Sequence, residues 1–251
     1  MAQRVHLEYV SPSGVKMTLI SPSWRDYEVA FVVADGIEGL VGVIEDPVVN
    51  LPGIAGAVFR LADRTVQAMT GTLTLAMVNE QSWAKLSAAW STIRPGVLRL
   101  TVDEMLHVLP VRLAAPLPQP VTQMKTGSQV AVSLVADGGV WLRPKSGAGK
   151  VRIANPGDVP ISPVITWTKA GSLTLPSGAR VALPAVDSPR VVSMGPADGQ
   201  VVRDATGAID KKLTKALPSL TESIPVGATA TITAPAGATI EWAEGVLSPW
   251  T

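Results

Sequence analysis

The stretch Val164-Ile165-Thr166-Trp167-Thr168 alternates, with Val164, Thr166 and Thr168 on one side and Ile165 and Trp167 on the other. A period of two marks a half-buried strand. Trp167 alternates with Ile165, so its ring is expected to face inward. The same period recurs outward from this stretch. Gly71–Val78 sets Leu73, Leu75 and Met77 against Thr72, Thr74 and Ala76. Leu98, Leu100 and Val102 oppose Arg99 and Thr101, and Val130, Val132 and Leu134 repeat the pattern. Thr229–Thr233 and Thr239–Trp242 read as a hairpin joined through Pro235-Ala236-Gly237. Such alternation predicts antiparallel strands. The 22 Gly and 21 Pro are spread evenly, which is turn punctuation at the short intervals that short strands need.

One helix stands out, over 80–93. Asn79 can cap it by accepting an orphan backbone N–H. Trp83, Leu86, Trp90 and Ile93 then form one apolar stripe, and Arg94-Pro95-Gly96 stops it. The two tryptophans on that stripe read as core, with an interface anchor as the alternative. The strand at 71–78 precedes the helix, and strands at 97–102 and about 105–113 follow it. Ala114–Pro120, with three prolines, reads as an extended semi-rigid connector. A strand over Gln129–Val135 ends at Asp137-Gly138-Gly139. The domain boundary is placed there: 1–137 as a β domain with the one helix, and 138–251 as a β-sandwich of short strands. Asp204–Gly227 is polar and weakly patterned, and reads as a long loop with Lys211, Lys212 and Lys215 solvated. The fold class expected is mainly β with one clear α-helix.

Composition narrows the function. The chain has 251 residues, 21 basic against 20 acidic side chains, no cysteine and two histidines. Without cysteine there is no disulfide framework, thiolate metal site or thiol nucleophile. A net charge of +1 supplies no field to gather a polyanion, so nucleic acid is not an expected partner. Charged residues are 16% of the chain, against roughly 25% in average domains. Either a membrane or partner proteins must then cover uncharged surface. The apolar run Val29–Ala34 is far short of the roughly 20 residues of a spanning helix. Glu38, Glu45, Asp46, Pro47 and Pro52 interrupt Gly36–Phe59. Arg4, His6 and Glu8, with no apolar block behind them, argue against a signal peptide. A soluble chain whose surface meets partners is expected.

No constellation of catalytic residues emerges. Ser146-Gly147-Ala148-Gly149-Lys150 has the look of a phosphate loop, but Pro144 stands where the first Gly is needed and Val151 follows the lysine. A turn before a strand is the plainer reading. His6 and His107 lie in strand-like segments and read as solvent-facing or satisfied core positions. Asp103-Glu104, Glu45-Asp46, Asp198-Gly199 and Asp204-Ala205-Thr206-Gly207 read as turns. The seven Trp against two Phe and two Tyr are unusual, and Trp141, Trp167, Trp242 and Trp250 fall in the sandwich half, where exposed rings could stack on sugars. Abundant Ala, Gly, Pro, Val and Trp also fit a GC-rich coding genome. No catalytic residue, cofactor-binding residue or metal ligand is expected.

Asn155-Pro156-Gly157-Asp158-Val159-Pro160-Ile161-Ser162-Pro163-Val164-Ile165-Thr166-Trp167 resembles a stretch of the distal tail (Dit-like) proteins of siphophages, the minor tail proteins of actinobacterial phages. Arg203-Asp204-Ala205-Thr206-Gly207, Leu217-Pro218, Ile224-Pro225-Val226-Gly227 and Leu247-Ser248-Pro249-Trp250 are similar to further points of that pattern. Lys212–Ile224 departs from it in having no aromatic residue. The resemblance implies an N-terminal belt domain, six copies of which close a ring, and a galectin-like C-terminal sandwich projecting outward. It implies a non-enzymatic structural protein of the virion, made in the host cytoplasm and placed at the tail tip or baseplate. Its implied partners are itself, the tail tube protein, the tip hub protein and the tape-measure protein, with no nucleic acid and no membrane span. The alternatives are a carbohydrate-binding sandwich that attaches to the host surface and, from a third class, a cell-wall hydrolase.

Overall fold

The computed structural model describes residues 4–47, 52, 53, 55, 64–119 and 124–250. Met1–Gln3 of the expected first domain, Pro120 of the connector and Phe59 at the end of the interrupted apolar stretch lie outside them. The chain is mainly β, with antiparallel sheets. It divides into two compact units: Met1–Leu142 with Val246–Thr251, and Arg143–Gly245. The second unit is thus inserted into the first, where the sequence suggested a single cut near 137.

The first unit contains β1 (Val5–Val10), β2 (Lys16–Ile20), β3 (Ala30–Gly39), β4 (Ile44–Glu45), β5 (Thr65–Val66), β6 (Met69–Met77), α1 (Ser82–Ala89), β7 (Gly96–Val102), β8 (Met105–Leu113), β9 (Gln129–Ala136) and the start of β10 (Trp141–Ala148). Strands β2, β1, β7 and β8 pair in that order. β9 pairs with both β8 and β6, and β6 with β3. The alternating residues do what their period predicts: Leu73, Leu75, Leu98, Leu100, Val132 and Leu134 are all buried in one core. Asp103 and Glu104 form a two-residue turn with φ of 46° and 73°, as the type I′ geometry between tightly paired strands requires.

The helix is shorter than 80–93. Trp90 leaves helical geometry at ψ 148°. Two local competitors end the helix there. The Ser91 hydroxyl accepts the N–H groups of Ile93 and Arg94, and the Ser91 carbonyl accepts the Leu113 N–H. Trp90 instead stacks on Tyr9, with ring centroids 3.7 Å apart and planes 7° from parallel. Ile93, expected on the apolar stripe, is 84% exposed. The helix also starts later than expected, with Gln81 and not Asn79 at its N-cap; Asn79 accepts the Gln81 N–H and the Ser82 hydroxyl in the turn before it.

Tyr9 is fully buried and donates to the Ala89 carbonyl at 3.1 Å. Burial pushes its phenol up to about 12 from the ordinary 10.0. Above pH 10 the unfolded chain has released that proton while the folded chain still holds it. The phenol's contribution to stability is therefore complete below pH 10 and is lost as pH rises through about 12. Denaturant melts are expected to show stability falling by up to about 1.4 kcal/mol per pH unit in that window. Tyr9→Phe should flatten this part of the slope, and an identical slope in the variant counts against the assignment.

The second unit contains the rest of β10, β11 (Lys150–Ala154), β12 (Val164–Trp167), β13 (Gly171–Thr174), β14 (Arg180–Leu183), β15 (Arg190–Ser193), β16 (Val202–Asp204), α2 (Lys211–Ala216), β17 (Thr229–Thr233) and β18 (Thr239–Val246). One sheet runs β16-β15-β12-β18-β10 and the other β11-β17-β13-β14. A core of Ile153, Ile165, Trp167, Leu173, Val192 and Ile240 draws on both.

Two sequence readings fail here. Thr229–Thr233 and Thr239–Trp242 are strands, but they do not form a hairpin. β17 pairs with β11 and β13 in one sheet, and β18 with β12 in the other. Pro235-Ala236-Gly237 is the corner at which the chain changes sheets, with Ala234 and Ala238 buried on either side. Alternation gives each strand its faces but says nothing about which strand it pairs with.

The second failure lies in the presumed loop Asp204–Gly227, which holds α2 and makes the helix count two among the described residues. Asp210 caps α2 by accepting the Leu213 N–H at 3.0 Å. This bond first, and then the Arg190 guanidinium, holds the Asp210 carboxyl below the usual carboxylate range. Lys211, Lys212 and Lys215 are exposed, as expected.

Candidate functional site

The Asn155–Trp167 stretch owes its pattern to one buried amide. Asn155 Nδ2 donates to the carbonyls of Val159 and Ile224, each at 2.9 Å, and its Oδ1 accepts the Gly157 N–H at 3.0 Å. All three bonds tie irregular backbone, which must be satisfied inside the fold. Gly157 follows for a steric reason: a Cβ there would stand 2.5 Å from the Gly245 carbonyl oxygen. The Asp158 N–H donates to that same carbonyl at 2.8 Å. Asn155 and Gly157 thus hold backbone together, while Ser162 and Val164, further along the stretch, line a groove.

Asp103-Glu104, Asp198-Gly199 and Asp204–Gly207 sit at turns, whereas Glu45 of the expected Glu45-Asp46 turn lies in β4. Gly149 is the corner between β10 and β11, which lie in different sheets, so Ser146–Lys150 is a change of sheet and not a phosphate loop. Asp204 Oδ1 accepts the N–H groups of Thr206 and Ala208 and the Thr206 hydroxyl. His6 pairs with Thr101, while His107 pairs with Leu100, which pairs with Leu7. Directly opposed residues share a face, so the two histidines lie on opposite faces of one sheet and cannot act together. His107 is buried, with Nδ1 3.2 Å from the Met105 carbonyl. Among the described residues no group of three or more His, Asp or Glu could hold a metal ion. None of their helices is long and apolar enough to cross a membrane.

The tryptophans separate into core and surface. Trp141 is 2% exposed and donates to the Leu40 carbonyl at 2.8 Å. Trp167 is 1% exposed and donates to the Pro184 carbonyl at 3.1 Å. Neither ring can receive a sugar, which removes Trp141 and Trp167 from the candidates named on sequence. Trp242 is half-buried and lines a groove of about 640 Å³ in the second unit. Lys145, Ser146, Ser162, Val164 and Glu241 line it as well. Val164 and Glu241 are cross-strand neighbours on β12 and β18. Lys145 is ion-paired with Glu244, whose carboxylate is buried. This set can stack on a ligand and hydrogen-bond to it. With no histidine among the lining residues, its serines have no imidazole base.

In the first unit a groove of about 520 Å³ runs between α1 and the connector, lined by Trp83, Trp90, Leu113, Pro116, Leu117 and Pro118 among others. Trp90 is core, and Trp83 is half-buried on the groove wall. The most exposed indole is Trp24, at 65%. Its ring meets Phe31 and Tyr27 edge-on, at 4.8 and 5.5 Å. Sequence reasoning passed over this aromatic patch. The available signal was a lone Trp between Ser21-Pro22-Ser23 and Arg25-Asp26, polar turn residues that bury nothing around it.

The order of elements, a β-sandwich whose sequence interrupts that of a β unit with one helix, has counterparts among solved folds. The crystal structure of SPP1 Dit, described as a paradigm of the hub adsorption apparatus of phages infecting Gram-positive bacteria, matches with a TM-score of 0.59 and 12% identity. The match covers 96% of this chain and 98% of that one. The fold is Dit-like. Structures of the phage P2 baseplate in its activated conformation match similarly. The calcium form gives a TM-score of 0.56 and the strontium form 0.54, each at 10% identity and covering 97% of this chain and 98% of that chain. No family model and no curated protein sequence matches the chain. At such identity the Dit-like likeness is carried by strand order and layering, which the apolar alternation maintains without fixing particular residues.

Proposed function

We propose that the chain is a structural protein of a phage tail tip. Copies of it close a ring, six by the family resemblance, that joins the tail tube to the tip or baseplate hub. The first unit forms the belt and the second projects as a galectin-like sandwich. The observation that carries this reading is the Dit-like likeness along nearly the whole length of both chains. Its partners are then further copies of itself, the tube and hub proteins and the tape-measure protein, and its location is the virion. A composition that fits a GC-rich coding genome supports an actinobacterial host.

Surface chemistry agrees. Trp24, Val15, Val41, Val43 and Ile93 are exposed on the first unit of a charge-poor chain. Contacts that bury such side chains remove an aggregation hazard, and a head-to-tail contact closes a ring when its rotation divides a full turn. Native mass spectrometry across micromolar concentrations is expected to show a closed oligomer of defined size. A monomer throughout counts against a ring that forms from this chain alone. Electron microscopy of virions lacking the protein is expected to show tails without a complete tip, and intact infectious tails would overturn the reading.

A second reading rests on the Trp242 groove: the sandwich binds a host-surface glycan. Glycan-array binding that disappears in Trp242→Ala, with the thermal melt unchanged, would favour it.

A further inference from the structure

The chain leaves the first unit after Leu142 and returns to it at Val246. The returning segment is short, yet it reaches into that unit's core. Val246 belongs to the buried cluster, Pro249 is buried, and the Leu247 carbonyl accepts the Gly42 N–H at 2.8 Å. A Cβ on Gly42 would stand 2.5 Å from Leu247 Cδ2 and 2.5 Å from the Gly139 carbonyl oxygen, so three remote segments meet there at backbone distance. Trp250 then lies over a small apolar cavity of about 10 Å³, which Leu7, Leu40, Leu73, Leu98 and Trp141 also line. With 42% of its surface exposed, the indole covers one side of the cavity and keeps the rest of the ring in water.

We propose that Val246–Trp250 is a latch: it closes the apolar end of the first unit, which reaches its closed form only when this segment is in place. The reason is the order of the chain. Synthesis delivers the strands around Leu7, Leu40, Leu73 and Leu98 first, then the whole of Arg143–Gly245, and only then the indole that covers them. Until then the end of the core lined by those leucines faces water. The first unit is therefore not an autonomous folding unit, whereas the second, continuous in sequence, closes without help from outside itself. The latch does not depend on the ring reading. Joined to it, the latch means that only chains carrying the segment offer a closed first unit for assembly.

Hydrogen exchange on the full chain tests this, in the wild type, Trp250→Ala and Trp250→Phe. In Trp250→Ala the amides of Gly42 and Leu40, bonded to the carbonyls of Leu247 and Thr70, are expected to exchange faster by on the order of tenfold or more. The amides of Ile161 and Ile224, bonded to each other's carbonyls in the second unit, are expected to keep wild-type rates. Trp250→Phe should restore most of the protection at Gly42. Unchanged rates at Gly42 and Leu40, or equal acceleration in both units, would overturn the latch. If Trp250→Ala yields a poorly folded chain, Ile161 and Ile224 still decide: they stay protected if only the latch has been lost and open with everything else if it is not a latch.

Discussion

Replacing Trp167 with alanine is expected to unfold the second unit well before the first. The indole sits on β12, between β15 and β18, and is 1% exposed. Truncation removes the largest fully buried side chain of that core and leaves the Pro184 carbonyl without its donor. Phe or Trp to Ala changes in cores cost about 3–5 kcal/mol, and the exposed Pro184 can pass its carbonyl to water at little further cost. A domain is stable by only about 5–15 kcal/mol, so most of the second unit's margin disappears. At about 4–8 °C per kcal/mol for a unit of this size, its melting should fall by on the order of 15 °C or more. Calorimetry is expected to resolve a lowered transition for the second unit beside a preserved one for the first, with Trp167→Phe in between. An unchanged thermogram would show that the ring carries little of that core.

The second large effect is expected at Asn155. Asn155→Ala takes the amide away from the Val159 carbonyl and the Gly157 N–H, at a side chain that is 2% exposed, while the Ile224 carbonyl keeps the Ile161 N–H. Each of these two losses costs about 1–3 kcal/mol, so a total of about 2 kcal/mol or more is expected. Asn155→Asp discriminates the cause. A carboxylate could still accept the Gly157 N–H, but it would face the carbonyl oxygens of Val159 and Ile224, acceptors that it cannot satisfy. At neutral pH the Asp variant should therefore be less stable than the Ala variant. It should recover as acid protonates the carboxyl and returns one donor. Denaturant melts at about pH 7 and about pH 4 check this, and an Asp variant as stable as wild type at pH 7 would remove the amide from its role. The start of the stretch that resembles the Dit-like pattern is thus held by the hydrogen bonds of one buried amide.

What was legible in the sequence is local. The strands around Leu73, Leu98, Val132 and Ile165 form where alternation places them, because the faces of a strand are fixed by its own period. The Asp103-Glu104 turn, the inward Trp167 and the solvated Lys211, Lys212 and Lys215 follow from the same neighbourhood rules. The candidate site was less legible. Trp141, read as a possible sugar platform, is core because Leu40 presents a carbonyl to its indole from a hundred residues away. The Trp24 patch carries no period at all. α2 was missed because Leu213 is the one large apolar residue within its six, too few to stand out from a polar stretch.

The sequence by itself determined a charge-poor, cysteine-free β chain with its turns in place, since backbone geometry and side-chain alternation act over a few residues. Long-range packing sets the rest: β17 and β18 part into different sheets, Trp90 leaves its helix for Tyr9, and Val246–Trp250 returns to the first unit. Each of those outcomes is a choice of partner among distant apolar surfaces. The hydrophobic effect that drives the choice has no direction along the chain, so no local pattern records it.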